Sequence, residues 1–428
     1  MRFLSLVVFL AILFSACAKK ATEPGQADRS ALPAPLPAGF SSAKPYFARV
    51  PRPANWSGMI GFRKPPRSFE LASKWGPLYD LRQTDLSQLD LTGHAQDLLR
   101  AFFDTETKWP AALPPEFDPV KILDANRNPG FGIGGIHGRG VTGRGVSVGI
   151  IDEPLLLDHE EYGDRLRFYG EIGVESAQAN FHGTLVTSVL AGRACGVAPR
   201  ADIFYIGSHL GGADGPDATS YAEAVDMLLE VNARLPREKR IRVISISAGF
   251  GPKNPGYKAV SKAVRKAEAA GIFVVSGNMA VEDVPGMWFW GLDRKATDDP
   301  DDVSAYSVVS WKNWISQVAG RDGFERFYEK RLRKAGSPEF LLVSEGPRTL
   351  AGPFGRSAYG FYPLGGWSSI LPYVAGLYAL ACKVKPDITP EVFWRAALAT
   401  GDPMPVKTDW ATYEGRRVDP ARLIDSLK

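Results

Sequence analysis

The chain has 428 residues, of which 45% are hydrophobic and 23% charged. That is the make-up of a folded protein with ample core, in one large domain or two, rather than of a disordered chain. The 51 Lys and Arg against 47 Asp and Glu leave a net charge of +4, and the basic residues are dispersed, so no nucleic-acid footprint is indicated.

The chain begins with Met1-Arg2, an apolar run from Phe3 to Phe14, and Ser15-Ala16-Cys17. The run is too short to span a bilayer, and residues 1–16 have the architecture of a signal peptide. Small residues directly before Cys17 resemble the lipobox of bacterial lipoproteins, with Phe14 where such boxes prefer Leu. That resemblance implies a lipidated Cys17 and a place in the bacterial cell envelope, facing outside the cytoplasm, on the outer membrane or the outer face of the cytoplasmic membrane. An ordinary cleaved signal with an incidental Cys is the competing reading. Residues 17–40, rich in Pro and Ala, read as a flexible tether. Residues 41–128 are mixed, with many prolines and one helical patch, GHAQDLLRAFFD.

From Gly143 the pattern alternates between strands and helices. GVSVGII, ending at Asp152, is an apolar run of strand length, and TLVTSVLAG reads as a buried helix. DIFYIG reads as a strand, and Ser220 to Leu235 as an amphipathic helix opened by a Ser220/Glu223 capping box. RVISISAG, a helix over Lys258 to Ala270, and GIFVVSG follow. Apolar strands alternating with helices predict a mostly parallel sheet covered on both faces, with the working site at the carboxyl ends of its strands.

Four polar residues sit at those ends. Asp152 closes the first strand, and His182, one of five histidines, precedes a helix of small and β-branched residues. Asn278 follows GIFVVSG, and Ser368 lies in GGWSSILPYVAG at the start of the last apolar helix. Each is readable as a cap. Together they form a set that capping does not predict: a hydroxyl, a base, a carboxylate to orient it, and an amide for an oxyanion.

These blocks resemble subtilisin-like serine peptidases, in the chain order Asp, His, Ser. GRGVSVGIID resembles the family's Asp block, and HGT with the helix and GVAPRADIFYIG its His block. SISAG resembles the cleft strand and SGN the oxyanion turn. Gly366, Ser368, Pro372 and Val374-Ala375-Gly376 align with the nucleophile block, so the resemblance runs from about Gly143 to Gly401. It implies a three-layer α/β fold with a mostly parallel central sheet, in a catalytic domain over residues 129–428. It also implies an endopeptidase in which Ser368 is nucleophile, His182 general base and acid, Asp152 its orienting partner and Asn278 an oxyanion donor. Ser247, Ala248 and Gly249, with Ser276 and Gly277 opposite, would bind an extended polypeptide. A catalytically inactive, peptide-binding envelope lipoprotein of the same fold is the alternative.

Several positions depart from the family pattern. Glu153-Pro154 follow Asp152 in place of a small residue and Gly, and Trp367 and Ser369 flank Ser368 in place of Thr and Met. Ser369 is a rival nucleophile that the Gly-x-Ser register disfavours. RDGFERFYEKRLRKAG reads as an inserted helical piece, either a solvated basic face or a border of the cleft favouring acidic substrates. The extension over 41–128 reads either as a cleaved propeptide or as a retained lead-in, with retention preferred. Calcium is common in the family, but no Asp/Asn cluster has suitable loop spacing, so no metal and no other cofactor is assigned. Cys195 and Cys382, similarly spaced after His182 and Ser368, are expected to pair in an exported protein or to stay as two buried thiols.

Overall fold

The computed structural model describes residues 44–54, 79–209, 211–212, 215–277, 287–308 and 320–428. Cys17, the signal run and the tether lie outside the described residues, as does Asn278.

The strands used below are β1 (Tyr46–Phe47), β2 (Phe103–Asp104), β3 (Ser147–Asp152), β4 (Leu166–Ile172), β5 (Asp202–Ser208), β6 (Ile241–Ile246) and β7 (Phe273–Ser276). All but β2 form one six-stranded sheet in the order β1-β4-β5-β3-β6-β7, and every pairing in it is parallel. The helices used below are α1 (Pro119–Ala125), α2 (Phe181–Ala191), α3 (Thr219–Ala233), α4 (Tyr257–Ala269), α5 (Arg321–Phe327) and α6 (Trp367–Val384).

Alternation along the strands sorts their side chains into two cores. Val148, Ile150, Phe273 and Val275 face the core that holds α2 and α6. Ile151, Ile246 and Val274 face the core beneath α3 and α4. The result is a three-layer α/β fold, and it explains why these strands read as unbroken apolar runs.

Of the later strands, those used below are β8 (Phe289–Asp293), β9 (Phe340–Gly346), β10 (Arg348–Ala351) and β11 (Tyr359–Tyr362). β8 and β9 pair in parallel, while β10, β11 and β2 form a small antiparallel sheet. Among the described residues no helix is long and apolar enough to cross a membrane.

Four expectations are corrected. The patch GHAQDLLRAFFD is helical only over Ala95–Leu98, because Phe103 is drawn into β2, where it pairs with Phe361 and packs against it, tilted, with ring centroids 4.9 Å apart. The Ser220/Glu223 capping box does not form. α3 starts one residue earlier, the Asp217 carboxylate accepts from Thr219 N–H at 2.9 Å, and Ser220 Oγ donates to His209 O.

The strand around SISAG stops at Ile246, leaving Ser247–Gly249 irregular and half-buried. The Cys195–Cys382 disulfide is absent, and both residues are free, buried thiols. Their surroundings differ: Cys195 N–H donates to Glu161 Oε2, whereas Cys382 packs near Tyr378 and Arg242.

The inserted piece forms α5 and a π-helical continuation, Tyr328–Arg333. Phe324, Tyr328 and Leu332 face the core, while Arg321, Lys330 and Arg333 face solvent.

Candidate active site

β3 delivers Asp152 to the carboxyl edge of the sheet, where its side chain is buried. α2 brings His182 in its first turn. The cap is Asn180, whose Oδ1 accepts from His182 N–H at 2.9 Å. Gly183 lets the helix approach this closely, since a Cβ there would lie 2.1 Å from Glu153 O and 2.3 Å from Tyr205 Oη. His182 Nδ1 stands 2.5 Å from Asp152 Oδ1. A neutral ring so bonded carries its proton on Nδ1 and a lone pair on Nε2, as a general base requires.

Asp152 also accepts from the Glu153 N–H at 2.9 Å. Burial lifts the Asp152 carboxyl above its ordinary value, against the pull of His182. For His182, burial acts against the charged ring, but the charge and hydrogen bond of Asp152, with the charge of Glu153, carry it above the ordinary imidazole value. The carboxylate of Glu153 itself turns to His209 Nδ1, 3.2 Å away. The extra acid therefore acts at a distance and does not compete for the His182 ring. His137 and His159 instead set a ring nitrogen against a backbone carbonyl, each at 2.8 Å.

Ser368 is the second residue of α6 and is half-buried. Its backbone carbonyl accepts from Ser247 Oγ at 3.1 Å. Ile246, just before Ser247, is paired with Ile151, just before Asp152, so the two residues stand side by side past the end of the ladder. The neighbouring hydroxyl faces inward: Ser369 Oγ donates to Gly366 O at 2.8 Å and Glu345 O at 3.1 Å. Ser369 is thus committed to buried carbonyls. Trp367 packs among Trp290, Trp288 and Phe289, at centroid distances of 4.6, 5.1 and 5.9 Å, so its bulk is taken up by an aromatic cluster.

On the far side, Gly277 N–H donates to Ala248 O at 2.9 Å. A Cβ on Gly277 would stand 2.8 Å from that oxygen, so Gly at this position lets Ser276-Gly277 lie against Ala248-Gly249. The structure thus brings together His182 with Asp152, Ser368 with Ser247, and Gly277 with Ala248. Sequence reasoning missed the Asn180 cap, although an Asn two residues before His182 is a readable N-cap signal. It also missed Glu345, for which no local signal exists. Among the described residues no group of three or more His, Cys, Asp or Glu is placed to hold a metal ion.

Residues 143–322 match the family model described as the Subtilase family. Subtilisin-like protease 4 of Arthroderma gypseum is 30% identical over 136 residues, which are 31% of this chain and 32% of that protein. Subtilisin-like protease PopC of Myxococcus xanthus is 22% identical over 59% of this chain and 54% of its own length. The chain therefore spans about a third and about half of these curated relatives.

Two solved structures are also similar. The prenylagaramide maturation protease PagA has a TM-score of 0.48 at 14% identity, covering 69% of this chain and 99% of that one. A cold adapted subtilisin-like serine proteinase has a TM-score of 0.41 at 19% identity, covering 64% and 89%.

Proposed function

We propose, from the premise that this chain is a member of the subtilase family through residues 143–322, that it is a serine endopeptidase acting on polypeptides. The observation that carries the reading is the 2.5 Å contact between His182 Nδ1 and Asp152 Oδ1 at the carboxyl edge of the parallel sheet.

In this reading Ser368 Oγ attacks the scissile carbonyl carbon while its proton passes to His182 Nε2. The oxyanion is met by the Asn278 amide and by the Ser368 N–H at the start of α6. His182 then gives the proton to the departing amine, leaving an acyl-enzyme ester on Ser368. Water, deprotonated by the same ring, releases the acid. Asp152 holds the tautomer and stabilises the imidazolium. The half-buried main chain of Ser247–Gly249, facing Ser276-Gly277, supports binding of the substrate as an added extended strand.

We further read the enzyme as tethered to a bacterial envelope membrane through a lipidated Cys17, on the strength of the sequence before that residue. Retention of the extension is supported by its packing. Phe103 and Leu123 share a core cluster with Phe361 and Ala296, and Asn126 Nδ2 donates to Ala296 O at 3.0 Å. Sequencing the N-terminus of the mature protein tests this, and a start near residue 130 would overturn it.

The activity is tested by labelling the full chain in detergent with a fluorophosphonate probe, beside Ser368→Ala, His182→Ala and Ser369→Ala. Labelling of the parent and of Ser369→Ala, with loss in the other two, is expected. A folded parent that stays unlabelled, with no propeptide bound, would replace this reading with the inactive, peptide-binding one.

A further inference from the structure

A buried carboxyl oxygen without a hydrogen-bond partner, Oε2 of Glu345, lies beneath the turn that delivers Ser368. Strands β8 and β9 run in parallel, but Leu292 pairs with Ser344 and Asp293 with Gly346, so Glu345 is left over in a bulge. Bulges re-aim the side chains they carry. The Glu345 side chain is buried between two glycines. A Cβ on Gly291 would stand 2.1 Å from its Oε2, and one on Gly365 2.0 Å from its Cγ. Its backbone carbonyl accepts from Ser369 Oγ. Side chain and main chain of one residue therefore both abut the segment from Gly365 to Ser369.

Glu345 Oε2 has no hydrogen-bond partner. The charged groups that face it are Asp293 from β8 and Arg348 from β10, while α6 offers the uncharged Ser369. The Arg348 guanidinium spends its donors on Glu345 O at 3.0 Å, Ser344 O at 2.7 Å, Ser344 Oγ at 3.1 Å and Pro129 O at 3.4 Å. Arg294, just beyond β8, turns instead to Asn126 Oδ1, Lys295 O, Asp298 O, Pro347 O and the Tyr306 hydroxyl. Neither cation reaches the carboxyl.

We propose that Glu345 is a positioning residue for Ser368, its side chain wedged between Gly291 and Gly365 so that it sets the Gly365–Gly366 turn at the start of α6. The proposal rests on Ser368 being the nucleophile.

The wedge works as the neutral acid. Burial first, and then the charge of Asp293, push the Glu345 carboxyl well above the ordinary glutamate value, with Arg348 opposing. Ionisation would set an unsolvated charge under the turn. Because the folded state holds this proton more tightly than the unfolded chain, its stabilising effect is present at low pH. It is lost as pH rises from the ordinary glutamate value through the raised one.

The test compares the full-length parent with Glu345→Gln, which keeps the shape and removes the ionisation, and with Glu345→Leu as a second non-titrating variant. Two readouts are taken across roughly pH 5 to 9, the range that buried carboxyls reach. One is kcat/KM on a peptide, and the other is tryptophan fluorescence, to which Trp367 beside the turn contributes. The parent is expected to lose activity on the order of tenfold on the alkaline side, with a fluorescence transition at the same pH. Whichever variant folds should lack both.

Coincident profiles for parent and variants in both readouts overturn the proposal. If no protein hydrolyses peptide at any pH, the assignment of Ser368 has failed. The fluorescence titration then decides the wedge by itself: a transition in the parent that the variants lack supports it, and none overturns it.

Discussion

The hydroxyl of Ser247 donates to the carbonyl of Ser368 at 3.1 Å. Pro372, four residues further along α6, has no N–H and so cannot make the helical bond to that carbonyl. A strand end thus supplies the donor that the helix lacks, tying the candidate nucleophile to the sheet that carries Asp152. Ser247→Ala should cost about 1 kcal/mol of stability and up to ~10-fold in kcat/KM. The cost should shrink when Ser247→Ala is made on a Pro372→Ala background, where an N–H becomes available. A double-mutant cycle by chemical denaturation and peptide hydrolysis measures this, and equal costs on both backgrounds would uncouple the two residues.

The proposed mechanism needs His182 as the neutral ring, so kcat/KM should climb with pH through the raised imidazole value. Glu153 contributes to that rise by its charge. Glu153→Gln should therefore shift the acid limb of the pH profile to lower pH and leave the plateau nearly unchanged. Stability runs the other way. A ring whose folded value is raised stabilises fully below the ordinary imidazole value, and that contribution fades as pH rises through the raised one. The melting-temperature loss from His182→Ala should accordingly shrink with rising pH while the activity of the parent grows.

Gly183→Ala puts a methyl 2.1 Å from Glu153 O, a backbone atom that cannot swing aside. The first turn of α2 must then move, carrying His182 off Asp152. The expected result is a loss of ~100-fold or more in kcat/KM with about 1–3 kcal/mol of destabilisation. Parent-like kinetics would mean that the helix start tolerates a shift.

The buried thiols should be unreactive in the folded protein. Burial raises both, Cys382 to about 11 and Cys195 well above the ordinary value, which leaves little thiolate at neutral pH. Alkylation followed by peptide mapping should find both residues unmodified before unfolding and both modified after unfolding without reductant. Failure to modify them after unfolding would restore the disulfide.

Much of the candidate site was legible in the sequence because its signals are local. An apolar run ending in Asp152, a small-residue helix opening at His182, and Gly366 two residues before Ser368 each need only a short window of sequence. The sheet was legible for the same reason, since strands buried on both faces are apolar throughout. The capping box at Ser220 misled because a matching spacing says nothing of which residue starts the helix. Asp217, three residues earlier, accepts from the first turn instead.

The order of residues by itself determined the parallel three-layer sheet and the place of Asp152 at its carboxyl edge with His182 beside it, because hydrophobic period and chain order dictate which ends emerge together. Only the tertiary structure decided the rest. Ser369 turned out to bond inward, Phe103 to join a strand packed against Phe361, the two cysteines to keep separate surroundings, and the Glu345 side chain to lie wedged between Gly291 and Gly365. Each of these depends on contacts between residues far apart in the chain, or on a one-residue slip between strands, and no local pattern encodes either.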